Sequence, residues 1–242
     1  MTTICVVVIW LARILCYLNV EYITEMHMLD YESLKQRQRE ERETHPEGLG
    51  LRVHRSLSWL ERSEKCSDDD GRFIFLWIAF NAAYAQSIDV NEQTDTQVAF
   101  GRFLEKLTAL DTNNVLYNLI WTEYSSSIRL LLDNKFVFKP FWDYKNNILT
   151  EEQWQQKFNS SKLFVNKALG KQKTVDILRV VLSRMYTLRN QLIHGGSTWN
   201  SAVNREQIKD CTAFLSKLVP FIIQLMLDNP KEIWGEALYP PV

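Results

Sequence analysis

Glycine and proline are scarce in this chain, eight and six among 242 residues. Sandwiches and barrels of many short strands need such turn residues, so their scarcity favours long helices. Cysteine is equally sparse. Cys5, Cys16, Cys66 and Cys211 show neither metal-ligand spacing nor a disulfide framework, which fits a reducing cytoplasm. The four histidines are scattered, with no His-x-x-x-His pair and no paired-acid motif. Nothing is therefore arranged to hold an ion; no cofactor is expected, and a metal-dependent nuclease or protease is the weakest reading. Internal repeats and low-complexity tracts are also missing.

What the chain does have is ordinary globular composition, 46% hydrophobic and 24% charged. That argues against disorder, and the length suits one sizeable core. A net charge of −1 hides an uneven distribution. Between Lys162 and Arg205 stand Lys162, Lys167, Lys171, Lys173, Arg179, Arg184, Arg189 and Arg205 against the single acid Asp176. An anionic ligand such as RNA would be drawn to this segment, with Lys171, Lys173, Arg179 and Arg184 as candidate RNA contacts. The competing expectation is that acids elsewhere in the fold pair with these groups and erase the patch.

Ile4 to Val20 is apolar apart from Arg13 and Asn19, near the lower length limit for a membrane span. It lacks the basic n-region of a secretory signal. Three readings stay open: a membrane anchor, a segment packed on the domain, or a true start at Met26 or Met28. A membrane is expected as a partner only if 4–20 is real. The expected organisation is an apolar segment 1–27, set outside the fold, and a single helical domain over 28–242.

Residues 30–48 are rich in both charge signs and suit a solvated helix or arm. Val53, Leu57 and Leu60 mark a surface helix within 51–66. Ser67-Asp68-Asp69-Asp70-Gly71 predicts a turn whose acids cap the next helix. Phe73 to Tyr84 is apolar on every face, which predicts a central helix buried on all sides or shared with a partner subunit. A strand at 73–78 is the alternative. Asn81 within it needs a hydrogen-bond partner, either as a clamp on a neighbouring helix or in support of the site. Helices are expected at 97–110 and 113–132, and an irregular segment or short hairpin at 136–148 around Pro140. Thr150-Glu151-Glu152 opens another helix. Long helices follow at 174–194 and 205–228, the second bent at Pro220. The fold class is all-α, a helical bundle with an antiparallel helix core.

On the 174–194 helix, Leu178, Val181, Met185, Leu188 and Leu192 step by three and four and should face the core. Ser183, Tyr186, Asn190 and His194 form a second, polar stripe, and Gly195-Gly196 supplies the backbone freedom of a helix end. Residues five apart lie about 140° apart around a regular helix, so Arg189 reaches His194 only by its length or a frayed turn. Asn190 lies directly below His194. Arginine can grip a phosphate with a planar fork of donors, and histidine can move a proton near neutral pH. The bare spacing is weak; Arg39 and His45 meet a looser version of it.

Arg189-Asn190-x-x-x-His194-Gly195 at the end of a late helix resembles the HEPN superfamily (higher eukaryotes and prokaryotes nucleotide-binding). Arg72 to Ala82 is similar to the matching helix of bacterial HEPN proteins near the Apea-like group. The resemblance covers roughly residues 29–235. It implies a helical bundle that dimerises and joins two Arg/His pairs in one RNA-cleaving cleft. It also implies a metal-independent endoribonuclease of toxin–antitoxin, abortive-infection or other defence systems. Arg189 and His194 match the two fixed positions as catalytic residues; Asn190, Tyr186 and Asn81 are supporting candidates. Gly196 stands where members silenced by nucleotide modification carry tyrosine, so that silencing is not expected here.

The implied chemistry is attack of a ribose 2′-hydroxyl on the adjacent phosphate of single-stranded RNA, with His194 as general acid or base. Arg189 would stabilise the phosphorane charge, and Asn190 would orient phosphate or imidazole. Expected partners are single-stranded RNA, a second copy of the chain, and an antitoxin or regulatory protein. Two rivals stand beside this: a module that binds RNA or a nucleotide without cutting, and a structural or partner-docking subunit. In the second, Arg189 forms an internal salt bridge, and a buried, unreachable His194 would favour it.

Overall fold

A computed structural model of the protein describes residues 29–84 and 96–235. The apolar segment 4–20 and the alternative starts at Met26 and Met28 lie outside the described residues. Those described form ten α-helices and no strand, a helical bundle: α1 Tyr31–Glu41, α2 Glu47–Glu64, α3 Asp69–Tyr84, α4 Thr96–Leu110, α5 Val115–Asn118, α6 Ser125–Asp133, α7 Lys139–Lys145, α8 Glu151–Gly170, α9 Thr174–Ile193 and α10 Arg205–Asp228. The all-α expectation holds.

The centre is α3, which packs most extensively against α2 and then α10. Val53, Leu57 and Leu60 on α2 are buried, as their spacing requires. Two side chains lock α2 to α3. Ser56 Oγ donates to the Ala79 carbonyl at 2.8 Å, and Arg52 Nη1 to the Ala83 carbonyl at 2.9 Å. Arg52 is wholly buried and also donates to the Gly235 carbonyl at 3.1 Å. A guanidinium survives there because carbonyl oxygens satisfy it. Burial on every face of α3 is not observed: Phe73, Leu76, Trp77, Phe80 and Ala83 are buried, whereas Ile74, Phe75, Ile78, Asn81 and Ala82 are half-exposed. Residues 73–78 are helical, which removes the strand alternative.

Two local expectations are corrected. The 113–132 pattern is not one helix; α5 runs into a π-helical turn over Leu119–Glu123, and α6 restarts after Tyr124. The 136–148 segment is no hairpin; a 3₁₀ turn at Lys135–Val137 leads into α7, with Pro140 in its first turn. Proline is favoured there because the first helical N–H groups have no intrahelical partner. α8 begins with a reciprocal capping box between Thr150 and Gln153, and α10 is the longest helix, with Pro220 inside and most of its apolar length in the core.

Candidate functional site

The last turn of α9 is built as its sequence spacing implies. Leu178, Val181, Met185 and Leu188 are buried, and Leu192 packs against the core. Ser183, Tyr186 and His194 are exposed, with Asn190 half-buried between them. The helix ends at Ile193; the His194 N–H still donates to the Asn190 carbonyl at 3.0 Å. Gly195 then turns the chain at φ +70° and donates to the Leu192 carbonyl at 3.2 Å, a left-handed exit that glycine adopts without strain. The His194 ring is open to solvent and has no hydrogen-bond or ionic partner among the described residues.

Arg189 is half-buried. Its Nη1 donates to Asn190 Oδ1 at 2.9 Å, and its Nε is buried with no partner. No carboxylate pairs with it among the described residues, so the helix end presents an uncompensated guanidinium charge. Neither feature that would favour the structural-subunit rival is seen: Arg189 forms no salt bridge among the described residues, and His194 is exposed. The Asn190 amide serves Arg189 and makes no bond to the imidazole. The Arg189 and His194 side chains make no direct hydrogen bond either.

The segment that follows His194 is braced from several sides. Asp68 Oδ1 accepts from the Gly71 N–H at 2.8 Å, the expected cap of α3. The same carboxylate oxygen accepts from Trp199 Nε1 at 3.3 Å. Asp70 Oδ2 takes the Asn200 N–H at 3.2 Å and forms a 2.8 Å ion pair with Arg205. On the other side, Gln191 Nε2 donates to the Phe136 carbonyl at 2.6 Å while Gln191 Oε1 accepts from Asn204 at 3.2 Å. Sequence reasoning saw the aspartates only as caps and missed Gln191, Trp199 and Phe136. The aspartate run was the available signal, since three acids exceed what one cap consumes.

Tyr186, two turns before His194, lies with its ring 6.1 Å from that of Trp77. Asn81 is one turn beyond Trp77, whereas the start of α3 lies beside the post-His194 segment. It is therefore carried away from the pair, about 16 Å along α3 from Asp70. Its amide has no hydrogen-bond partner among the described residues, so it clamps none of the described helices.

The basic residues do not gather around His194. Arg184 is 2% exposed, covered by the Phe138 ring at 4.2 Å, and bonded to Ser161 Oγ at 3.2 Å. Burial pushes its guanidinium down to about 10. It cannot touch RNA, which corrects the expectation for that residue. Arg179 pairs with Glu105 at 3.3 Å, Lys162 with Asp133 at 2.5 Å, and Arg205 with Asp70. Lys171 and Lys173 are exposed, but they precede α9 at its opposite end, about 30 Å from His194. The pairing expectation thus accounts for three of the eight cations, and the electrostatic patch is thinner than the sequence suggests.

An open groove of about 520 Å³ between α6 and α8, lined by Leu130, Leu132 and Val165, lies away from the pair. No group of three or more His, Cys, Asp or Glu side chains is placed to hold an ion among the described residues. No protein-family model, curated protein or solved structure matches this chain.

Proposed function

We propose that the protein is a metal-independent, cytoplasmic endoribonuclease of the HEPN type that cleaves single-stranded RNA in a toxin or defence setting. The observation that carries this reading is the solvent-open, unpartnered His194 at a helix end whose last turn holds the unneutralised Arg189. A phosphate seated there would meet a permanent cation and a group able to accept or donate its proton. His194 takes the proton of the attacking 2′-hydroxyl or delivers one to the leaving 5′-oxygen. Arg189, oriented by Asn190, stabilises the charge on the pentacoordinate phosphorus. The exposed face of α9, with Tyr186 and Ile193 beside His194, is where a second copy would bring the partner pair.

The full-length chain, incubated with labelled RNAs in EDTA, tests this against Arg189→Ala and His194→Ala. Cleavage by the wild type alone, leaving 2′,3′-cyclic phosphate and 5′-hydroxyl ends with DNA untouched, is expected. Equal behaviour of all three proteins, or loss of activity in EDTA, rejects it. One observation favours a second reading, an RNA- or nucleotide-binding or partner-docking module without catalysis: the Arg189 and His194 side chains do not touch. That reading expects RNA binding, weakened by Arg189→Ala, with no fragments produced by any variant.

A further inference from the structure

Trp199 is 74% exposed, and yet the one polar group of its side chain, the indole N–H, already donates to the Asp68 carboxylate at 3.3 Å. A tryptophan usually hides most of its large apolar surface. Here the indole is tethered by its N–H edge while most of the side chain stays open to water. Its neighbours are fixed as well. The Ser201 N–H donates to the Thr198 carbonyl at 3.2 Å, closing a turn around Trp199, and the Asn200 N–H is held by Asp70. The carboxylate of Asp70 is balanced by Arg205, so the charge beneath the turn is partly neutralised. Trp199 lies five positions after His194, which limits the Cα distance to about 17 Å. Stacked nucleotides rise about 3.4 Å each along a strand, so the ring stands within a few nucleotides of a phosphate at the pair.

Resting on the ribonuclease reading, we infer that Trp199 is the stacking platform for an unpaired base flanking the phosphate held at Arg189 and His194. A single-stranded substrate is then selected because only an unstacked base can offer its face to the indole. Base identity matters little, because every base has a π-face.

The test uses the full chain carrying His194→Ala, in EDTA, with two fluorescent probes: a twelve-residue oligoadenylate and a twelve-unit strand of stable abasic spacers with the same phosphates. Trp199→Ala is expected to weaken the oligoadenylate about five- to a hundredfold, with the abasic strand unchanged and Trp199→Phe restoring most of the loss. Unaltered oligoadenylate affinity overturns the inference. So does equal weakening of both probes, or a change of oligomeric state by light scattering, which would make Trp199 a protein-docking residue. If the His194→Ala parent binds neither probe, the RNA reading itself fails; if it binds both and Trp199→Ala is silent, only the assignment of Trp199 fails.

Discussion

Asn190 Oδ1 accepts a 2.9 Å hydrogen bond from Arg189 Nη1, so the residue directly below His194 on the helix orients the guanidinium. Asn190→Ala should retain the fold and lower RNA cleavage about tenfold, since a bond to a charged group is lost. Asn190→Asp should be worse, because a carboxylate would neutralise the cation meant for the phosphate. Single-turnover rates for the three proteins at equal RNA saturation decide the order; an Asp variant faster than the Ala variant would contradict it.

Arg184 separates stability from RNA contact. Removing its stem from beneath Phe138 in Arg184→Ala should cost about 2–4 kcal/mol, in line with large-to-small core changes. Arg184→Met should cost far less, because an unpaired buried charge is exchanged for an apolar chain of similar reach. Urea unfolding measures both, and RNA affinity of the Met variant should equal that of the wild type.

Asp68 caps α3 and anchors Trp199. The Gly71 N–H holds its carboxyl below the usual carboxylate range. A depressed acid contributes its stability above the unfolded value near 3.9 and loses it as pH falls through the folded value. Asp68→Ala should therefore destabilise by about 1 kcal/mol at pH 7, with the difference shrinking as the pH falls below the unfolded value near 3.9. Denaturant midpoints of the two proteins across that range provide the check.

The Asp70–Arg205 pair ties the start of α3 to the start of α10, with the acid almost fully covered. Arg205→Met should cost about 3 kcal/mol by stranding that carboxylate, whereas Asp70→Asn with Arg205→Met should recover part of the loss. A double-mutant cycle on unfolding free energy, showing coupling of at least about 1 kcal/mol, is the expected result.

The final turn of α9 could be read from its residues because both of its stripes obey helical spacing and Gly195 follows the last periodic position. The first turn of α3 was equally readable from Asp68. Arg184 was not: it lies only about 60° around the helix from the buried Val181, yet its charge suggested a surface. Pro140 suggests an irregular segment or hairpin, although a first-turn position uses its fixed φ to start a helix. Asp70 with Arg205, and Gln191 with Phe136, are meetings of distant segments, which no local pattern encodes.

The spacing of the exposed lysines gives α9 the character of a ruler. Its 20 residues set Lys171 and Lys173 about 30 Å from His194. At about 3.4 Å per stacked nucleotide, a strand must run roughly nine nucleotides to feel both ends. On the ribonuclease reading, shorter oligonucleotides would be gripped only at the cleaving end, and their binding would lose the salt sensitivity those two cations confer.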